Sequence, residues 1–153
     1  MPAEGLAQFV PERRRLLVLR APATMRPLGE VWRLGTLLLD AEARIYALGR
    51  ATRAAERGRP GYQSLSREER RDIAAAALHG GYPVGAPVNF DAVRLNLDPA
   101  SLEALPPDSP IGLDAGEVRV RWRAGAPLSG AQTLAQYLSE RAELLISPPF
   151  SEG

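Results

Sequence analysis

The sequence predicts a single α+β domain: a mostly antiparallel sheet of about five or six strands, with two main helices packed on one face. Three observations carry this expectation. Apolar runs flank short polar turns at "DAEA" (40–43) and "DAG" (114–116), which is the pattern of β-hairpins. Helical spacing of apolar residues occurs in two long segments, near 66–79 and 130–146. A doubly wound parallel sheet would need more crossover helices than these.

Along the chain, residues 1–13 have little periodicity and are expected to form a loose N-terminal arm, with the domain spanning 14–149 and a tail at 150–153. "RLLVLRA" (15–21) suits a buried strand, broken by Pro22 and Pro27. "VWRLGTLLLD" (31–40) and "RIYALGRATRA" (44–54) form the first expected hairpin. Residues 55–65 read as a loop. Ser66 with Glu69 matches a capping box and opens the first helix, with Ile73, Ala74, Ala77 and Leu78 on its apolar side. Gly80 ends it, as a residue able to take the left-handed conformation.

The stretch "GYPVGAPVNFD" (81–91) reads as a turn, and "AVRLNLD" (92–98) as a half-buried strand. In that strand Val93, Leu95 and Leu97 share one face. Asp98 before Pro99 marks the start of a short helix. "PIGLDAGEVRVRWR" (110–123) is the second hairpin, with Val118, Val120 and Trp122 inward and Glu117, Arg119, Arg121 and Arg123 outward. The last helix is expected over 130–146, opened by a Ser129–Gln132 capping box, with Leu134, Leu138, Ala142 and Leu145 inward and "SPP" as its stop.

Composition excludes several chemistries. The 153 residues carry no cysteine, which removes disulfides, thiolate metal sites and cysteine nucleophiles. All nineteen basic residues are arginine. Without lysine there is no Schiff-base, P-loop or Ser-x-x-Lys chemistry. The arginine, alanine, glycine and proline content fits the codon bias of a GC-rich bacterial genome. The net charge of +1 disfavours a nucleic-acid partner. No apolar run is long enough for a membrane span, and the N-terminus lacks a secretory pattern, so a cytoplasmic location and no membrane partner are expected.

His79 is the only histidine. It suits acid–base chemistry, or equally a helix C-terminus where a ring N–H reaches a carbonyl. Gly80, Gly81 and Gly85 fit a cap and turn better than an anion-binding loop. Tyr82 and Phe90 read as lids on the core. Asn89 has no explanation as punctuation, and with His79 and Tyr82 it forms a candidate ligand set. Arg119, Arg121 and Arg123, at period-2 spacing, are expected on one strand face with Arg94 near them. Planar guanidinium groups there would suit phosphate, carboxylate or an acidic partner. The alternative is a solvated face paired with Glu140 and Glu143. "ERRR" (12–15) is a weaker candidate arm for nucleic acid. There is no G-x-S-x-G elbow, and neither a metal site nor a cofactor is expected.

Three stretches, "VWRLGTLLLDAEARIYALGRATRA", "GYPVGAPVNFD" and "LAQYLSERAELLISPP", together resemble a small family of short actinobacterial proteins, some of which carry the label glutaminase. The serine-dependent mechanism of that activity needs Ser-x-x-Lys, which a chain without lysine cannot supply. The resemblance assigns no site residue.

The function expected from sequence is a non-catalytic binding or interaction protein. Its contact surface would be the arginine face or the 80–90 loop. The partner would be an anionic small molecule, an acidic protein or a second copy of the chain in a homodimer. The alternative is a small hydrolase or lyase using His79 with a carboxylate. A third reading is weak nucleic-acid binding.

Overall fold

The structure, a computed structural model, describes residues 2–15, 19–58 and 64–146. Parts of the expected 15–21 strand and 55–65 loop, the "SPP" stop and the 150–153 tail lie outside those residues. The fold is α+β, with a seven-stranded mixed sheet in the order β7-β8-β1-β4-β5-β6-β9 and two separate two-stranded sheets. The sheet is therefore larger than expected. Contacts divide the chain into two compact units, Ala3–Val31 with Leu48–Ala92, and Trp32–Ala47 with the chain from Val93 onward.

In the first unit, β1 (Glu4–Val10) lies between β8 (Pro87–Phe90) and β4 (Thr24–Leu34). It is antiparallel to β4 and parallel to β8, with Gly5 opposite Val88 and Ala7 opposite Phe90. β7 (Arg50–Arg53) pairs antiparallel on the far side of β8. The expected loose arm is thus an inner strand. Leu6 and Ala7 are neighbours in sequence and both are buried, one on each face, so no period-2 pattern appears. The same holds for "PVNF", expected to be part of a turn. Val88, Asn89 and Phe90 are all buried, as in a strand covered on both faces. A short pair, β2 (Arg13–Arg15) and β3 (Leu19–Ala21), completes the strands of this unit.

Helix α1 (Leu65–His79) packs on this unit's core of Ala7, Met25, Ala54, Ile73, Ala76, Ala77, Val88 and Phe90. Its alanines let it lie close to the strands. Ser64, not Ser66, is the N-cap, and it makes no side-chain cap bond, so the expected Ser66–Glu69 box does not form. The C-terminus is a Schellman motif: Tyr82 N–H donates to the Ala77 carbonyl at 3.2 Å and Gly81 N–H to the Leu78 carbonyl at 3.1 Å. The left-handed residue is Gly81 (φ +101), whereas Gly80 is right-handed (φ −75). Gly80 is needed for another reason. A Cβ there would collide with the Met25 carbonyl.

The second unit begins at the end of β4. Gly35 (φ +63) turns the chain into β5 (Leu37–Asp40), so the single run expected over 31–40 is two strands. β6 (Ile45–Ala47) returns beside β5, and β9 (Val93–Leu95) pairs with β6. The expected return strand over 44–54 is likewise split: Ile45–Ala47 pairs here, and Arg50–Arg53 is β7 of the first unit. β9 is shorter than expected; Leu95 is buried, while Val93 and Leu97 are exposed. Asp98 caps α2 (Pro99–Glu103) by accepting from Ser101 N–H at 3.0 Å, as expected.

β10 (Ile111–Asp114) and β11 (Glu117–Val120) form the expected hairpin. Its turn has Ala115 at φ 49 and Gly116 at φ 78, which is a type I′ loop. β11 stops at Val120, where Val120 N–H bonds to the Gln132 carbonyl and Arg121 N–H makes a last rung with the Pro110 carbonyl. Trp122 is therefore outside the strand and 71% exposed, not inward. Helix α3 (Leu134–Ile146) starts four residues later than expected. The capping box is Thr133–Gln136: Gln136 N–H donates to Thr133 Oγ1 at 3.3 Å, and Thr133 N–H to Gln136 Oε1 at 3.4 Å. Leu134 and Tyr137 are its buried residues. The Tyr137 hydroxyl donates to the Leu34 carbonyl at 3.1 Å. The core of this unit is Leu37, Ile45, Leu95, Leu102, Ile111, Val120, Leu134 and Tyr137.

Asp40 organises the β5–β6 turn. Its buried carboxylate accepts from Glu42 N–H (3.0 Å), Arg44 N–H (2.8 Å), Arg44 Nε (2.6 Å) and the Tyr46 hydroxyl (3.0 Å). Burial pushes its pKa up. The hydrogen bonds from Arg44, Tyr46 and Glu42 outweigh that and hold it below the usual aspartate value.

Two measurements check these features. Gly80→Ala should lower stability by about 3 kcal/mol through the collision with Met25, whereas Gly81→Ala, with room for a Cβ, should cost only about 1 kcal/mol of left-handed strain. Urea denaturation gives the order, and equal losses would refute it. Asp40→Asn should cost about 2 kcal/mol at neutral pH. A lowered carboxyl contributes stability above its unfolded pKa, about 3.9, and loses it as pH falls through the folded value. The Asp40→Asn variant should therefore lose less stability than the parent between neutral pH and pH about 3.

Candidate ligand groove

The first unit contains a cavity of about 530 Å³ beside α1, a size found for ligand sites. One wall is a stripe of α1, Glu69, Asp72, Ile73, Ala75 and His79, brought to one side by spacings of three and four residues. The opposite wall is built from Phe9 at the end of β1, from Pro11 and Glu12, and from Pro22 and Ala23. Arg50 of β7 and Arg57 of the following segment complete it. The apolar surface is supplied by Phe9, Ile73, Ala75 and the prolines, and the polar groups stand around it.

The two arginines are held differently. Arg57 is bound by two carboxylates, Glu68 at 2.8 Å and Asp72. Arg50 makes one long contact with Glu69, at 3.4 Å, and its guanidinium lies 5.3 Å from the centre of the Phe90 ring. The ring attracts the guanidinium, and half of the Arg50 side chain stays exposed. His79 is exposed along the groove, with Nδ1 3.2 Å from the Ala23 carbonyl. A carbonyl only accepts, so Nδ1 carries the hydrogen, and in the neutral ring Nε2 is the acceptor.

The other residues singled out by sequence stand elsewhere. Tyr82 is half-buried against the core, its ring lying over Gly5 and its hydroxyl donating to the Leu6 carbonyl at 3.4 Å. Burial, and then the charge of Glu30, raise its pKa. Asn89 is 2% exposed and donates to Glu4 Oε1 at 3.1 Å and to the Gly5 carbonyl at 3.3 Å. Neither lines the groove with His79. Phe90 is a core residue, as expected.

The four arginines belong to the second unit. Arg94 is exposed on β9, opposite Tyr46. Arg119 donates to the Ala131 carbonyl and pairs with Glu117 at 2.9 Å and Asp114 at 3.6 Å. Arg121 donates to three carbonyls, Ala126 (3.0 Å), Ser109 (2.8 Å) and Ile111 (3.0 Å). Arg123 lies beyond the strand, 4.6 Å from the Trp122 ring centre. The expected stripe of three outward arginines therefore does not form. β11 ends at Val120, and the 121–131 segment needs donors for its own carbonyls.

Sequence reasoning missed Arg50, Arg57, Glu12, Glu69 and Asp72 as groove residues. The available signal was the spacing of Glu69, Asp72 and His79 on one helix side. No cluster of His, Asp and Glu able to hold a metal occurs among the described residues, and no helix of theirs is long and apolar enough to cross a membrane. In comparisons with known proteins, no family model, no curated protein and no solved structure matches this chain.

Arg121→Gln should lower stability by about 2 kcal/mol by leaving carbonyls without their charged donor, while Arg123→Gln should stay within about 0.5 kcal/mol. Chemical denaturation of the two variants decides between a structural Arg121 and a surface one.

Proposed function

We propose that this is a non-catalytic binding protein whose ligand lies in the α1 groove and presents an anionic group to Arg50. The observation that carries the reading is the contrast between the two groove arginines. Arg57 is neutralised by Glu68 and Asp72, whereas Arg50 lies over Phe90 with one long carboxylate contact. An incoming carboxylate or phosphate can replace Glu69 at little cost, because a half-exposed pair of that length contributes no more than about 1 kcal/mol. The commitments of Arg119 and Arg121 to nearby carbonyls favour this groove over the arginine-bearing hairpin as the anion site.

A second reading, a small hydrolase or lyase, has one observation in its favour. The Ala23 carbonyl fixes the His79 ring so that Nε2 is the basic nitrogen. Asp72 is seven residues away on the same helix, about 10 Å along its axis, which is too far for a direct His–carboxylate pair. Binding therefore ranks first. Catalysis would appear as ester or amide hydrolysis that His79→Ala removes while anion binding survives.

Acetate and phosphate titrations followed by NMR test the binding reading. Shifts should concentrate on the Arg50 side-chain N–H and on α1 residues near Glu69. Arg50→Gln should weaken the response at least about tenfold, a loss of roughly 1.4 kcal/mol. Equal responses in the parent and Arg50→Gln would refute it.

A further inference from the structure

We propose that the groove's ligand is an extended peptide of about four residues, with its terminal carboxylate at Arg50 and an N–H donated to His79 Nε2. This rests on the reading of the α1 groove as a binding site, and it names the ligand class. Two properties of the groove lead to it.

The first is length. Arg50 reaches the helix at Glu69, and His79 stands ten residues further along the same wall. At 1.5 Å per helical residue the two polar ends are about 15 Å apart. A free phosphate or acetate would occupy one end only. An extended chain covers 3.3–3.6 Å per residue, so about four residues span the distance.

The second property is the chemistry of the far end. His79 Nδ1–H is spent on the Ala23 carbonyl, so the remaining ring nitrogen accepts. An alkyl carboxylate of the right length would end in a methyl group there and offer that acceptor no donor. A peptide brings backbone N–H groups and an ammonium to the same place, while its side chains meet the apolar stretch of Phe9, Ile73 and Pro22.

The test uses the full chain, immobilised and exposed to a randomised tetrapeptide pool with free termini, with bound peptides read by mass spectrometry. A C-terminally amidated pool and an alkyl carboxylate of twelve carbons serve as competitors in the same measurement. The parent should retain free-carboxylate tetrapeptides at least tenfold over amidated ones. Arg50→Gln should remove that preference, and His79→Phe should reduce retention at least tenfold; both side chains are exposed, and circular dichroism confirms that the variants fold. If acetate or phosphate perturbs Arg50 but no tetrapeptide is retained above the Arg50→Gln background, the peptide assignment is wrong and the groove reading stands. Preferential retention of the alkyl carboxylate would likewise overturn it. If neither anions nor peptides perturb the groove, both fail.

Discussion

Backbone contact between Gly80 and Met25 sets the geometry on which the first unit depends. With no Cβ between them, the C-terminus of α1 lies directly on β4. Three consequences follow from that one approach. Ile73, Ala76 and Ala77 reach Val88 and Phe90 to close a core from small side chains. The Schellman motif swings Tyr82 back over Gly5. His79, one residue before the contact, is brought against the Ala23 carbonyl. A larger residue at Gly80 would lift the helix end and change all three together, since packed interiors transmit small displacements instead of absorbing them.

Arginine does structural work in this chain that its abundance disguises. With no lysine present, every cationic side chain is a planar fork with five donors. Arg121 uses that fork to hold the carbonyls of Ser109, Ile111 and Ala126, and Arg57 uses it to join two carboxylates of α1. Counting arginines along a strand therefore overstates anion affinity. The relevant quantity is how many donors of each are already committed. By that measure Arg50, resting on an aromatic face, differs from Arg57, Arg119 and Arg121.

Much of the fold was legible where local rules act alone. Asp98–Pro99 started a helix and "DAG" turned a hairpin, because caps and tight turns need particular residues within four positions; the end of α1 was legible too, though its left-handed residue is Gly81 and not Gly80. Illegible segments were those whose character comes from burial on both faces. "EGLAQFV" and "PVNF" show no alternation, and Asn89 looks like a loop residue until Glu4 and the Gly5 carbonyl supply its acceptors. The capping boxes show the limit of motif matching. Ser129–Gln132 and Thr133–Gln136 both fit the pattern, and only the Val120–Gln132 bond, which keeps the chain extended, selects the second. The groove was half legible: His79 was visible, but its partners come from segments up to seventy residues away in sequence, from Phe9 to His79.

The division of the chain into Ala3–Val31 with Leu48–Ala92, and Trp32–Ala47 with the chain from Val93, has a consequence for how such a protein can change. The backbone passes from one unit to the other between Val31 and Trp32, between Ala47 and Leu48, and between Ala92 and Val93. Neither unit is a continuous cassette. A cut after Ala92 leaves the whole cluster of the first unit in the N-terminal piece, but separates Leu37 and Ile45 from the rest of the second cluster, so the second unit cannot be moved intact by one cut. Long-range closure must also precede much of the burial in each, which favours cooperative and comparatively slow assembly over stepwise folding from the N-terminus.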